Sequence, residues 1–165
     1  MRIAGVIVAC AMATGCAVGD PEADLEQMSL GWAESYQGLA RINARPYASG
    51  LGSSQINCFV AGDVTNYKQI HPERAGANVA VARGTVIVRE VLDGAGRVSK
   101  LTLMAKGPAG YDPSLGDWWF AVTDPRGVPL VENGVVQAGR LTQCHDCHDD
   151  RTRDDFLFGV PSSNM

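Results

Sequence analysis

Five residues near the end of the chain, Cys144-His145-Asp146-Cys147-His148, combine two thiols and an imidazole in the spacing C-x-x-C-H. On a helical turn, positions i, i+3 and i+4 share one face. Two thiols three apart can therefore bond the two vinyl groups on one side of a porphyrin, and the imidazole one residue later can reach its iron as proximal ligand. This is the attachment pattern of haem c. It predicts one covalent haem, with Cys144 and Cys147 as the cofactor-binding residues, His148 as the metal ligand and His145 pointing elsewhere. A small Cys144–Cys147 disulfide and a zinc site are the competing readings. A tetrahedral zinc site recruits a second Cys or His pair, and Cys58, His71 and His145 do not make one. Cys58, in the apolar run Ile56-Asn57-Cys58-Phe59-Val60, reads as a small buried hydrophobe.

Only 17 residues follow His148, and the one Met among them is the terminal Met165. The layout of small electron carriers, with the motif early and a Met ligand far downstream, cannot be built. A haem here must be capped by the chain preceding the motif. That chain reads mostly as strands: residues 56–61, then Gly84-Thr85-Val86-Ile87-Val88-Arg89-Glu90-Val91 with the turn signal Asp93-Gly94, residues 98–105, Asp117-Trp118-Trp119-Phe120-Ala121-Val122, and more weakly 128–131. Trp118, Trp119 and Phe120 must point to opposite faces of their strand, one into core and one able to wall a haem. Apolar residues at Leu25, Met28, Trp32, Tyr36 and Leu39 predict a helix over 24–39 that buries this stripe. A short helix over 64–70 is capped by Asp63 and stops before Pro72. Residues 44–54 and 107–116 read as loops, and the haem motif as the end of a helix beginning near Ala138. The fold class is α+β: an antiparallel β-sheet with a few flanking helices and a haem-bearing helix near the C-terminus.

The 165 residues suit one domain, and 45% hydrophobic with 19% charged residues excludes wholesale disorder. A formal net charge of -4 without a basic block gives no footprint for nucleic acid. At the N-terminus, Arg2 precedes an apolar run over residues 3–13. At eleven residues this run is about half a spanning helix, so it reads as a signal peptide over 1–15. Ala13-Thr14-Gly15-Cys16 resembles a bacterial lipobox, although Ala13 stands where Leu is usual. Cys16 is then the lipidated first residue of the mature chain, anchoring it to a membrane through a short tether over 16–23, with the single domain running over 16–165. Ala17 after the cysteine favours the outer membrane by analogy with such lipoproteins, and the expected compartment is the periplasm. Haem c is assembled outside the cytoplasmic membrane, so motif and signal support each other.

With a C-terminal haem motif behind these strands, the chain resembles the cytochrome P-460 family, which includes cytochrome c′-β. The resemblance covers roughly residues 56–160. It is carried by Gly84-Thr85-Val86-Ile87-Val88-Arg89-Glu90, Gly110-Tyr111-Asp112-Pro113 with Gly116-Asp117-Trp118, the C-x-x-C-H motif, and the trailing Asp154-Asp155-Phe156-Leu157-Phe158. It implies a largely antiparallel β-fold, often a homodimer, holding a five-coordinate haem with an open distal face. Hydroxylamine-oxidising members join a Lys covalently to the porphyrin edge, and the matching position here is Arg89, with Lys100 and Lys106 as reserves in another register. A guanidinium stays protonated and is no ready nucleophile. The expectation is therefore no cross-link and an ordinary haem c spectrum. Arg89 is either a solvated or paired strand residue, or the group that meets a haem propionate or lends positive charge to the distal pocket. Phe59 is a core residue or an aromatic cap on the distal face, as in the gas-binding relatives. Asp149 or Asp150 is expected to be solvated or to accept a hydrogen bond from His148 Nδ1.

The functional expectation is an exported mono-haem cytochrome whose open iron site binds a small nitrogen oxide such as NO, with redox turnover and a redox partner protein as extensions. Two alternatives stand beside it. One is an electron-transfer cytochrome with a protein sixth ligand, for which Met104 is the candidate. The other is a hydroxylamine-oxidising enzyme of the cross-linked type.

Overall fold

β-Branched and aromatic residues set the architecture, because they pack well on a pleated surface. The computed structural model describes residues 20–49 and 54–165. The signal peptide, Cys16, the first part of the tether and residues 50–53 lie outside them. In chain order the elements are α1 (Pro21–Ser35), β1 (Ala40–Arg41), β2 (Tyr47–Ala48), β3 (Gln55–Ala61), α2 (Val64–Tyr67), β4 (Val86–Leu92), β5 (Val98–Lys106), β6 (Trp118–Thr123), β7 (Val131–Glu132), β8 (Val135–Val136), β9 (Ala138–Gly139) and α3 (Thr142–His148). The main sheet is antiparallel, in the order β1-β3-β4-β5-β6-β9, with β2 also pairing β3, and β7-β8 form a separate hairpin. The protein is α+β, an antiparallel sheet of about seven strands with its last helix near the C-terminus.

Register decides which face each side chain meets. Cys58 lies opposite Arg89 and Arg89 opposite Thr102, Ile87 lies opposite Met104, and Met104 opposite Phe120. Strand alternation then puts these residues on one face, with Ile87, Cys58, Met104, Trp118 and Phe120 in a core shared with Tyr67, Ile70, Leu141 and Leu157. Phe59, Val88, Leu103, Trp119 and Ala121 face the other way and pack with Leu25, Ala33 and Tyr36. Phe59 therefore meets Tyr36 edge-to-face, with ring centroids 5.2 Å apart, and belongs to the core behind the sheet, not to a distal cap.

Helix α1 covers that rear face. Asp20 caps it by accepting from the Glu22 backbone N–H, with Pro21 in the first turn, so the helix starts inside the segment read as a tether. Its buried stripe is also rotated from the expected one. Leu25, Ser29, Ala33 and Tyr36 are buried, whereas Met28 and Trp32 are each 37% exposed. The reason is close approach of backbone. A Cβ on Gly127 would stand 3.1 Å from Ala33 Cβ, so only small side chains fit at the centre of this contact.

Two further expectations change. Residues 138 and 139 do not begin the last helix, because they pair with Ala121 and Phe120 at the edge of β6 and Gly139 has φ 108°, outside helical space. Helix α3 starts at Thr142 instead. Residues 44–54 include β2, whose Tyr47 pairs with Ile56.

Candidate functional site

Helix α3 presents Cys144, Cys147 and His148 to a cavity of about 590 Å³ on the front of the sheet. The walls are largely apolar, with Ile56, Ile87, Met104, Phe120 and Phe158 among them, and Tyr47, Arg89 and Lys100 supply polar groups. That volume and lining suit a cofactor-sized ligand. Both thiols are free, Cys147 exposed and Cys144 partly buried. Burial, with the neighbouring Cys147 thiol, pushes Cys144 up to about 11.

The imidazole of His148 is fixed on three sides. Phe120 and Phe158 meet it edge-to-face, at centroid distances of 5.4 and 5.1 Å. Its Nδ1–H donates to the Phe156 carbonyl at 2.5 Å, which leaves Nε2 as the ring's free lone pair. Neither Asp149 nor Asp150 makes this bond. The backbone turns back through left-handed residues at Asp155 and Phe156, with φ of 53° and 63°, and brings the later carbonyl to the ring. Burial holds the imidazole down to about 4, the bond to Phe156 works against this, and the Arg89 charge adds to it. The ring is thus neutral at ordinary pH, as a metal ligand must be.

The trailing segment that carries Phe156 and Phe158 is clamped at both of its acids. Asp154 accepts from the backbone N–H groups of Gly76 and Ala77 and pairs with Arg151 at 3.0 Å. Asp155 accepts from Val81 N–H at 2.9 Å and forms a buried ion pair with Lys106, while its own carbonyl accepts from Trp118 Nε1 at 2.8 Å. Further on, Gly159 has φ 66°, and a Cβ there would lie 1.9 Å from the Ile70 carbonyl oxygen. Its own carbonyl accepts from Tyr47 Oη at 3.3 Å. The expected site residues therefore come together: Cys144, Cys147, His148, Arg89 and Met104 line one cavity. Lys106 is engaged with Asp155, whereas Lys100 lines the cavity.

Arg89 is no surface residue. Its Nε and Nη2 are buried without a hydrogen-bond partner. Burial opposes its charge, but a guanidinium is basic enough to stay protonated, and its pKa direction is upward. Sequence reasoning missed Tyr47, hidden in a stretch read as loop, and the roles of Phe158, Asp154 and Asp155, which entered only as part of a resemblance.

The donor set fits a covalently held haem. It provides two thiols and one neutral imidazole on a single helix face, a free Nε2, and apolar walls. Among the described residues no group of three or more His, Cys, Asp or Glu side chains gathers as a metal site, so a tetrahedral zinc centre is not assembled. No helix among them is long and apolar enough to cross a membrane. No protein-family model matches the chain, and no curated protein matches it.

Proposed function

We propose that this chain is an exported mono-haem c-type cytochrome whose cavity binds a small nitrogen oxide such as NO at an open iron position. The observation that carries the reading is His148 itself: a partly buried imidazole, neutral, with Nδ1 engaged by the Phe156 carbonyl and Nε2 free beside two free thiols. Cys144 and Cys147 would hold the haem through two thioethers, and His148 Nε2 would be its proximal ligand. When bound, the haem supplies an iron centre able to take a diatomic ligand and to change oxidation state. The chain's part is to orient the imidazole through Phe156, Phe120 and Phe158, exclude water with the apolar wall, and place a fixed positive charge at Arg89. The lipobox-like segment supports attachment of the mature chain to the outer membrane, facing the periplasm.

Met104 lines the same cavity and supports a second reading, an electron-transfer protein in which its thioether is the sixth ligand. Hydroxylamine oxidation through a lysine cross-link is disfavoured by Arg89. Visible spectra of the ferric and ferrous holoprotein with CO or NO, together with an intact mass, test these readings. A high-spin ferric spectrum, a CO-responsive ferrous one and a single haem adduct through two links are expected. An unresponsive six-coordinate spectrum moves the assignment to electron transfer, and a colourless product with two free thiols refutes it.

A further inference from the structure

Resting on the haem reading, we infer that the cavity is built to take a small oxyanion of the nitrite type, held by Arg89. The guanidinium lies on β4 in the interior of the sheet, flanked on its own face by Cys58 and Thr102. It lines the cavity and forms no salt bridge among the described residues, and its Nε and Nη2 are buried without a hydrogen-bond partner. A buried cation with the three N–H donors of Nε and Nη2 left without an acceptor is costly. The groups around it, Tyr47, Tyr67 and Cys58, are all neutral acids raised by burial, so none supplies a counter-charge.

The carboxylates that do line the cavity, Asp146 of α3 and Asp150 just after it, are exposed and are not paired with Arg89. The missing partner is therefore an acceptor brought in from outside. A planar anion with two oxygens suits a guanidinium, which offers parallel N–H donors in one plane. The carboxylate of a haem propionate has the same chemistry. Titration with free nitrite separates the two sources, because a guanidinium already paired with a propionate has no donors left for a second anion.

The test is a titration of sodium nitrite into the ferric holoprotein, read both in the Soret band and by calorimetry, beside CO binding to the ferrous form. Arg89→Lys keeps the charge and loses the planar donor array, and Arg89→Met removes both at similar volume. The ratio of nitrite to CO affinity is expected to fall at least tenfold, or ~1.4 kcal/mol, in Arg89→Met and by a smaller factor in Arg89→Lys. An unchanged ratio overturns the inference, as does a wild-type protein that binds CO and not nitrite, and either result assigns Arg89 to a propionate or to packing. Failure of the haem reading is seen separately, as a protein with no Soret band and no CO complex.

Discussion

Replacing Asp155 by Asn would test whether the segment behind the proximal imidazole is held by the buried pair described above. The side chains of Lys106 and Asp155 are 12% and 7% exposed, so the pair is shielded from water. Asn keeps the size of Asp and tolerates the left-handed backbone, where residue 155 has φ 53°. The substitution removes the charge and one acceptor oxygen, and the remaining amide oxygen can keep the bond from Val81 N–H. The change strands the Lys106 ammonium, which keeps only its position 5.0 Å over the Trp118 ring. Breaking one side of a buried pair costs about 3–5 kcal/mol, and a shielded cation–π contact offsets ~2 kcal/mol of it. A loss of about 2–3 kcal/mol is expected, a large share of the roughly 5–15 kcal/mol that holds an ordinary domain together. Lys106→Met should cost a similar amount by stranding the carboxylate. The double variant buries neither charge, so its loss should fall short of the summed singles by at least about 2 kcal/mol. Urea unfolding followed by far-ultraviolet circular dichroism measures all three. Singles that cost under about 1 kcal/mol, or strictly additive losses, would refute the pair as the clamp.

Three further outcomes follow from the geometry. Gly159→Ala places a Cβ 1.9 Å from the Ile70 carbonyl and imposes a positive φ on alanine, so a loss above about 3 kcal/mol or insoluble expression is expected, read by thermal melting. With His148 unliganded, the folded imidazole titrates at about 4 against 6.5 for the free side chain, so the unfolded chain takes the proton first. Stability is complete above about pH 6.5 and falls by roughly 3 kcal/mol as pH drops to about 4, a slope that should flatten in His148→Gln. Asp63→Ala removes the cap on α2, where the carboxylate accepts from the Asn66 backbone N–H at 3.0 Å and from Ala82 at 3.2 Å, and should cost about 1–2 kcal/mol by urea unfolding.

Much of this was written locally. The spacing of Cys144, Cys147 and His148 needs only one helical turn to face the same way, and the β-branched runs of β3, β4 and β5 need only their own alternation to become strands. The α+β class was legible for that reason, and so was the Asp63 cap. What only the tertiary structure decided depends on residues far apart in the chain. Periodicity could not rotate the α1 stripe onto Ser29 and Ala33, because the cause is a turn at Gly127 roughly ninety residues away. Nor could propensity place the start of α3 at Thr142, since the edge of β6 claims Ala138 and Gly139. The partner of His148 Nδ1 is a backbone carbonyl, which carries no side-chain signature, and it is reached only after two left-handed residues turn the chain back. Arg89 is the sharpest case. Its sequence neighbours suggest one residue of an ordinary strand, and only the pairing of β3, β4 and β5 encloses its charge in the same cavity as the imidazole, because burial is a property of the whole sheet and not of the residues beside it.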